Sequence, residues 1–303
     1  MFSFSLDSLP RLDGKRAVIT GANSGLGLQT SWMLASRGAH VVMACRSPER
    51  AGAALETVRL RAPGAKVETA TLDLAALASV RECAKMLVDG GTIDILVNNA
   101  GVMALPYRRT TDGFELQFGT NHLGHFALTG LVFEALATDA RVVSIASGMH
   151  RAGSMHWDDL DGEKNYSPWP WYGQSKLANL LFAFGLGRRL QARGSQVKSV
   201  AAHPGYAATN LQHAGPKMEG SWLKSTMMSV GNALLAQSDE RGAWPQVYAS
   251  AAADAQSGQY WGPAVAEMWG APKLSSTSSA ARDENDQDRL WTISQVRTGV
   301  SFL

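Results

Sequence analysis

The sequence predicts an α/β fold, a doubly wound parallel sheet with helices on both faces, and three observations carry that expectation. Short apolar, β-branched runs alternate with segments of helical spacing over the first two hundred residues. A glycine cluster stands where the first of these runs gives way to the first helix. No break in the alternation marks a second domain. Residues 1–303 are therefore expected to form one unit, with a core over 13–210 and a lid plus C-terminal elements over 211–303.

Taken in order, Ala17–Thr20 is the first expected strand and Val41–Ala44 the second. Ser47-Pro48-Glu49 opens a helix, since serine caps and proline suits the first turn, and Pro63-Gly64 ends it. Val67–Leu72 reads as the third strand. Leu74, Leu77, Val80, Cys83 and Leu87 then follow helical spacing up to Gly90-Gly91. Ile93–Val97, Val142–Ile145 and Val197–Ala202 complete six strands, each apolar enough to be covered on both faces. Right-handed crossovers make the sheet parallel. Beyond residue 203 the pattern loosens. Helical stretches are expected at 216–237 and 240–253, and a short apolar run at Gln259-Tyr260-Trp261. An exposed loop is expected at Ser275–Ser279, and a helix start at Asp283-Glu284-Asn285-Asp286.

Composition narrows the function classes. Hydrophobic residues make up 45% of the chain and charged residues 18%, which is enough apolar material for a core. The formal net charge of +2, without a basic cluster, speaks against a nucleic-acid partner. Cys45 and Cys83 are the only cysteines, so no disulfide framework is expected and a reducing cytoplasm fits. No apolar run approaches the ~20 residues of a membrane helix, and the first residues lack the pattern of a signal peptide. A membrane anchor is therefore not expected.

The first strand runs directly into Thr20-Gly21-Ala22-Asn23-Ser24-Gly25-Leu26-Gly27. Glycines let a backbone approach a pyrophosphate, and the N-terminus of the following helix supplies amide donors and positive potential. This stretch resembles the TGxxxGxG loop of the short-chain dehydrogenase/reductase family. Further stretches agree in order: Asp73-Leu74 after the third strand, Asn98-Asn99-Ala100-Gly101 after the fourth, Tyr172-Gly173-Gln174-Ser175-Lys176, and His203-Pro204-Gly205 with Thr209. The resemblance covers roughly residues 13 to 210 and implies a Rossmann-like fold and a nicotinamide cofactor. It assigns Gly21, Asn23, Ser24, Gly25, Leu26 and Gly27 to the phosphates and Asp73 and Leu74 to the adenine. Asn99, Ala100, Gly101, Tyr172, Lys176, Pro204, Gly205 and Thr209 complete the implied cofactor site. The nearer likeness is to the branch of retinol dehydrogenases and the WW-domain oxidoreductase. It rests on Ala44-Cys45-Arg46, on Asn121-His122-Leu123-Gly124-His125-Phe126, and on the twenty-five positions separating Ser147 from Tyr172.

Carbonyl reduction needs a proton delivered to oxygen as hydride reaches carbon. A tyrosine can supply it, and an ammonium four residues along a helix would lower a phenol pKa that is otherwise near ~10. Tyr172 and Lys176 have that spacing, and Pro168 and Pro170 suit the entry to such a helix. Ser147, with Ser144 as competitor, would hydrogen-bond the substrate oxygen; the resemblance favours Ser147. The resemblance also implies that Asn121 is the fourth catalytic residue, holding a water beside Lys176. At the end of the second strand Cys45 stands where NAD-binding enzymes carry an acid, and Arg46 follows. NADP(H) is therefore expected over NAD(H).

The expected substrate is a bulky, largely apolar alcohol or carbonyl. The insertion before Tyr172 carries Met155, Trp157, Tyr166, Trp169 and Trp171. A second apolar stretch holds Met218, Trp222, Leu223, Met227 and Met228, with Gly215, Pro216 and Gly220 suited to a moving lid. His122 and His125 lack a matching third ligand, so no metal is expected and packing is their reading. Arg108-Arg109 and Arg188-Arg189 read as surface charge. A homo-oligomer is the expected assembly. Two rivals share the fold: a catalytically silent cofactor-binding regulator, which cofactor oxidation on a carbonyl panel would separate, and a nucleotide-sugar epimerase or dehydratase, which a sugar-nucleotide binding assay would separate.

Overall fold

The computed structural model describes residues 4–205 and 237–303. Its parallel strands are β1 (Arg16–Thr20), β2 (His40–Cys45), β3 (Val67–Thr71), β4 (Ile93–Asn98), β5 (Leu136–Ile145), β6 (Lys198–Ala202) and β7 (Tyr260–Val265); β8 (Trp269–Leu274) returns antiparallel to β7. The order β3-β2-β1-β4-β5-β6-β7-β8 reverses between β1 and β4. In open parallel sheets the crevice at such a reversal, at the carboxyl ends of the strands, is where ligands bind.

Where strands depart from expectation, the reason is local. β1 is buried throughout, as the unbroken apolar run predicts. β3 lies at the sheet edge, and Glu68, Thr69 and Thr71 are exposed, so it is not covered on both faces as expected. β5 starts six residues earlier than its apolar run, because Leu136 already pairs with Ile93 and a bulge before Arg141 leaves Thr138 and Asp139 in solvent. The Tyr260-Trp261 run proves to be the start of β7, paired to β6 through Ala201 and Ala202.

On one face lie α1 (Gly25–Ser36), α2 (Pro48–Arg61) and α7 (Asp239–Ala251), packed through Met33, Leu34, Val58 and Val247. On the other lie α3 (Leu77–Asp89), α5 (Gly124–Leu131), α6 (Pro168–Ala192) and α9 (Glu284–Thr298), packed through Val80, Leu87, Phe126, Phe182 and Trp291. Short helices α4 (Leu116–Phe118) and α8 (Ser279–Arg282) join them. The expected caps are present: the Ser47 hydroxyl accepts from the Arg50 amide, and Asp283 accepts from Asn285 and Asp286. From Trp171 to Gly187 α6 is buried on every side, since it lies between the sheet, α9 and the loop after β5.

The serine run at 275–279 is not a free loop. Ser275 Oγ meets His203 Nε2 at 3.1 Å, Ser276 accepts from Arg151, and Ser279 begins α8. Among the described residues no helix is long and apolar enough to cross a membrane. Thr209, the stretch Met218–Met228, and the hinge residues Gly215, Pro216 and Gly220 lie outside the described residues.

Candidate active site

The carboxyl ends of β1, β2, β3 and β4 enclose a cleft of about 330 Å³. Twelve of the expected cofactor residues line it together: Gly21, Asn23, Ser24, Gly25, Leu26, Gly27, Arg46, Asp73, Leu74, Asn99, Ala100 and Gly101. The glycines serve two purposes. A Cβ on Gly21 would come within 2.9 Å of Ala100, and one on Gly27 within 2.4 Å of the Gly21 carbonyl, so these two let the loop lie flat on the β4 end. Gly25, at φ 52°, opens α1 and meets nothing closer than 3.9 Å. Only there does the expected backbone approach to a phosphate apply. Ser24 precedes α1 without capping it through its side chain, so the first-turn amides and its hydroxyl are available to an anion.

Cys45 turns into the core, where burial pushes its thiol up to about 11. The β2 end thus offers no carboxylate to a ribose. Arg46 lines the cleft as expected, and so do Ser47 and Arg50, which the sequence reading missed. Arg50 stands in the first turn of α2, four residues after Arg46, close enough in sequence to have been considered with it. Among the described residues neither guanidinium has a carboxylate partner within 4 Å.

Asn121, Ser147, Tyr172 and Lys176 are not part of the cleft lining but gather beside it. Gly101 is the junction: a Cβ there would lie 3.2 Å from Asn121 Oδ1 and 3.6 Å from Lys176 Nζ. Asn121 sits in the π-turn Gly119–Leu123, a form of backbone often found at functional sites. Its side-chain oxygen accepts from the Val102 amide at 2.8 Å, and its Nδ2 donates to Val102 O and Ser175 Oγ at 2.9 Å. Lys176 Nζ donates to Ile145 O at 3.1 Å and lies 5.7 Å from the Tyr172 ring centroid. Ser147 stands at the start of the turn Gly148–Arg151, where its hydroxyl accepts from the Met149 amide at 3.2 Å and acts on the Tyr172 phenol. Ser144 is buried within β5 and takes no part.

One electrostatic expectation is corrected. Burial, not Lys176, dominates the free site: it pushes the Tyr172 phenol up to about 12, with the Ser147 hydroxyl opposing, and brings the Lys176 ammonium down to about 8. Desolvation acts on both groups, whereas the ammonium faces the ring from 5.7 Å and also bonds a carbonyl.

The insertion before Tyr172 folds back on α6 rather than standing open. Trp171 is buried and stacks on His156 at 4.6 Å, Tyr166 donates to Leu105 O, and Met155 and Trp157 pack against the core. Of its five large apolar groups only Trp169 stays outside, 45% exposed, with its ring 6.3 Å from that of Tyr172. Pro204 O accepts from Gln237 at 2.7 Å, and Gly205, at φ 66°, abuts Met268 O.

A further layer lies behind Ser147, and of its residues only His203 belongs to a motif read from the sequence. His150 Nδ1 meets Ser147 O at 2.6 Å, and the His150 and His203 rings flank buried Tyr260. The other sequence candidates are structural. His122 meets Ser294 Oγ at 2.8 Å among Phe118, Phe126 and Phe182, Arg188 and Arg189 pair with Asp288, and Arg109 pairs with Glu163.

A glycine turn on a helix N-terminus at the sheet reversal, beside a buried tyrosine and lysine, defines a dinucleotide-dependent oxidoreductase. Comparison with known proteins agrees. The short chain dehydrogenase family model matches residues 15–220. The chain is 40% identical over 296 residues to retinol dehydrogenase 13 of Homo sapiens, covering 95% of this chain and 86% of that protein. It is 39% identical to polyprenol dehydrogenase of Mus musculus, covering 96% and 86%. A crystal structure of an uncharacterized protein from Mycobacterium paratuberculosis is 40% identical, covers all of both chains and superposes with a TM-score of 0.83. The chain belongs to the short-chain dehydrogenase family, in its retinol dehydrogenase branch, and is a hydride-transfer oxidoreductase using NAD(P).

Proposed function

We propose that the protein interconverts a bulky apolar alcohol and its carbonyl with NADP(H), with Tyr172 as acid/base. The observation that carries this reading is buried Tyr172, one helical turn from Lys176, whose ammonium lies 5.7 Å from the Tyr172 ring and adjoins the cleft at Gly101. The residues present fit the cofactor: α1 opens without a side-chain cap, and among the described residues Arg46 and Arg50 face the same cleft with no carboxylate within 4 Å. When bound, NADPH supplies the hydride. In reduction Ser147 donates a hydrogen bond to the substrate oxygen, and Tyr172 gives that oxygen its proton. The phenolate left behind is stabilised by Lys176, whose site in turn is braced by Asn121 through Ser175 and Val102. In oxidation Tyr172 takes the proton back.

Trp169, exposed beside Tyr172, offers an apolar face to the substrate. The relatives named for retinol and polyprenol support a long apolar alcohol. Cys45 and Cys83, both buried thiols, suit a reducing cytoplasm, and a homo-oligomer completes the proposal. Steady-state kinetics on a homologous series of aldehydes, with NADPH and NADH, tests it. Specificity constants should rise with apolar bulk and favour NADPH. A preference for small charged carbonyls would refute the substrate class.

A further inference from the structure

We propose that His125 is a positioning residue that couples the cofactor loop to the Asn121–Lys176 corner of the reaction site. The proposal rests on the reading of that corner given above. His125 is buried on α5, and both ring nitrogens are engaged at 2.9 Å: Nδ1 with the Asn121 carbonyl, Nε2 with Thr20 Oγ1. A carbonyl can only accept, so Nδ1 carries the proton. Nε2 is then the acceptor, and the Thr20 hydroxyl donates to it. With its hydrogen so directed, Thr20 Oγ1 turns its lone pairs to the amides of Asn99 and Ala100, each at 2.9 Å. Those amides belong to the β4 end on which the glycine loop lies.

The other end of the imidazole reaches the catalytic corner. Asn121 lies in a π-turn, and its carbonyl is tied to the side chain of His125. Its amide then spans Val102 and Ser175, one residue from Lys176. A line of hydrogen bonds, joined through Asn121 itself, therefore runs from the end of β1 through one imidazole to Ser175 on α6. Burial and the nearby Lys176 charge both oppose protonation of the ring, bringing His125 down to about 4, so the neutral tautomer persists at neutral pH. Plain packing would not require this arrangement. A phenylalanine fills a similar volume, whereas here a hydroxyl, a carbonyl and two amides depend on one ring. His122 is the contrast: one turn earlier, it bonds Ser294 on α9 and reaches neither the cleft nor Lys176.

The test compares His125→Phe, which keeps the shape and loses both bonds, with His125→Asn, whose amide nitrogen falls where Nδ1 was. The readouts are NADPH affinity by fluorescence titration, kcat, and hydrogen exchange at segments 98–102 and 119–124. His125→Phe should weaken NADPH binding and lower kcat by about tenfold each, and speed exchange in both segments. His125→Asn should rescue kcat and the protection of 119–124, while NADPH affinity and 98–102 stay impaired. Failure of the two variants to separate, or wild-type-like behaviour within about threefold on every readout, would overturn the proposal. Exchange and NADPH titration need no turnover. They therefore judge His125 even if Tyr172→Phe remains active and the reaction assignment falls.

Discussion

Replacing Arg46 and Arg50 by alanine, singly and together, probes how the cleft chooses its cofactor. Both side chains are exposed at the cleft mouth and carry no acidic partner among the described residues, so little but a bound anion should notice their loss. A charge-assisted hydrogen bond is worth ~1.5–3 kcal/mol. Exposure to solvent places these contacts at the low end, about 1.5 kcal/mol, or roughly tenfold per arginine. Two arginines sharing one phosphate are coupled, so the double variant should lose less than the product of the single losses. The assay is kcat/KM with NADPH and with NADH on one aldehyde, at low and high salt. The NADPH-to-NADH ratio should fall about tenfold for each variant, with NADH rates held, and the wild-type ratio should itself shrink as salt rises. An unchanged ratio in the double variant, or a wild type that already prefers NADH, would refute the reasoning.

Two further outcomes follow from the site's surroundings. Trp169→Ala should lower kcat/KM for long apolar aldehydes by about tenfold while sparing short ones, because it removes the most exposed of the insertion's indoles, beside Tyr172; equal loss on both would assign Trp169 to structure alone. Burial pushes the Glu115 carboxyl from 4.5 up to about 7. Its protonated form is the one folding favours, so the associated stability is complete below pH ~4.5 and is lost as pH rises through about 7. Thermal melts of wild type should therefore fall across that window more steeply than those of Glu115→Gln; parallel curves would count against it.

Legibility in the sequence followed burial and contact range. β1, β2 and the glycine turn were readable because buried parallel strands leave unbroken apolar runs and because the turn follows its strand directly. β8 was not, since Trp269–Leu274 includes Gly270 and Pro272, residues that suit only an edge strand. The members of the site that resemble family motifs were found by order alone. His150 and Tyr260 were not, because their relevance arises only when the sheet brings distant segments together. The direction of the Tyr172 shift was misjudged for the same reason. Helical spacing to Lys176 is local, while the desolvation that outweighs it comes from packing around the whole ring. The insertion shows the reverse error: four of its five large apolar groups are committed to packing, and composition could not separate them from Trp169.

Single-turnover hydride transfer from NADPH to an apolar aldehyde, measured in wild type, Tyr172→Phe and Lys176→Ala alongside NADPH affinity, tests the central claim most directly. Tyr172→Phe keeps the ring and leaves the glycine cleft untouched, so NADPH affinity should hold while the transfer rate falls by ~100-fold or more. Lys176→Ala should be comparably slow, because the ammonium no longer stabilises the phenolate. Transfer by Tyr172→Phe within about tenfold of wild type would contradict the account.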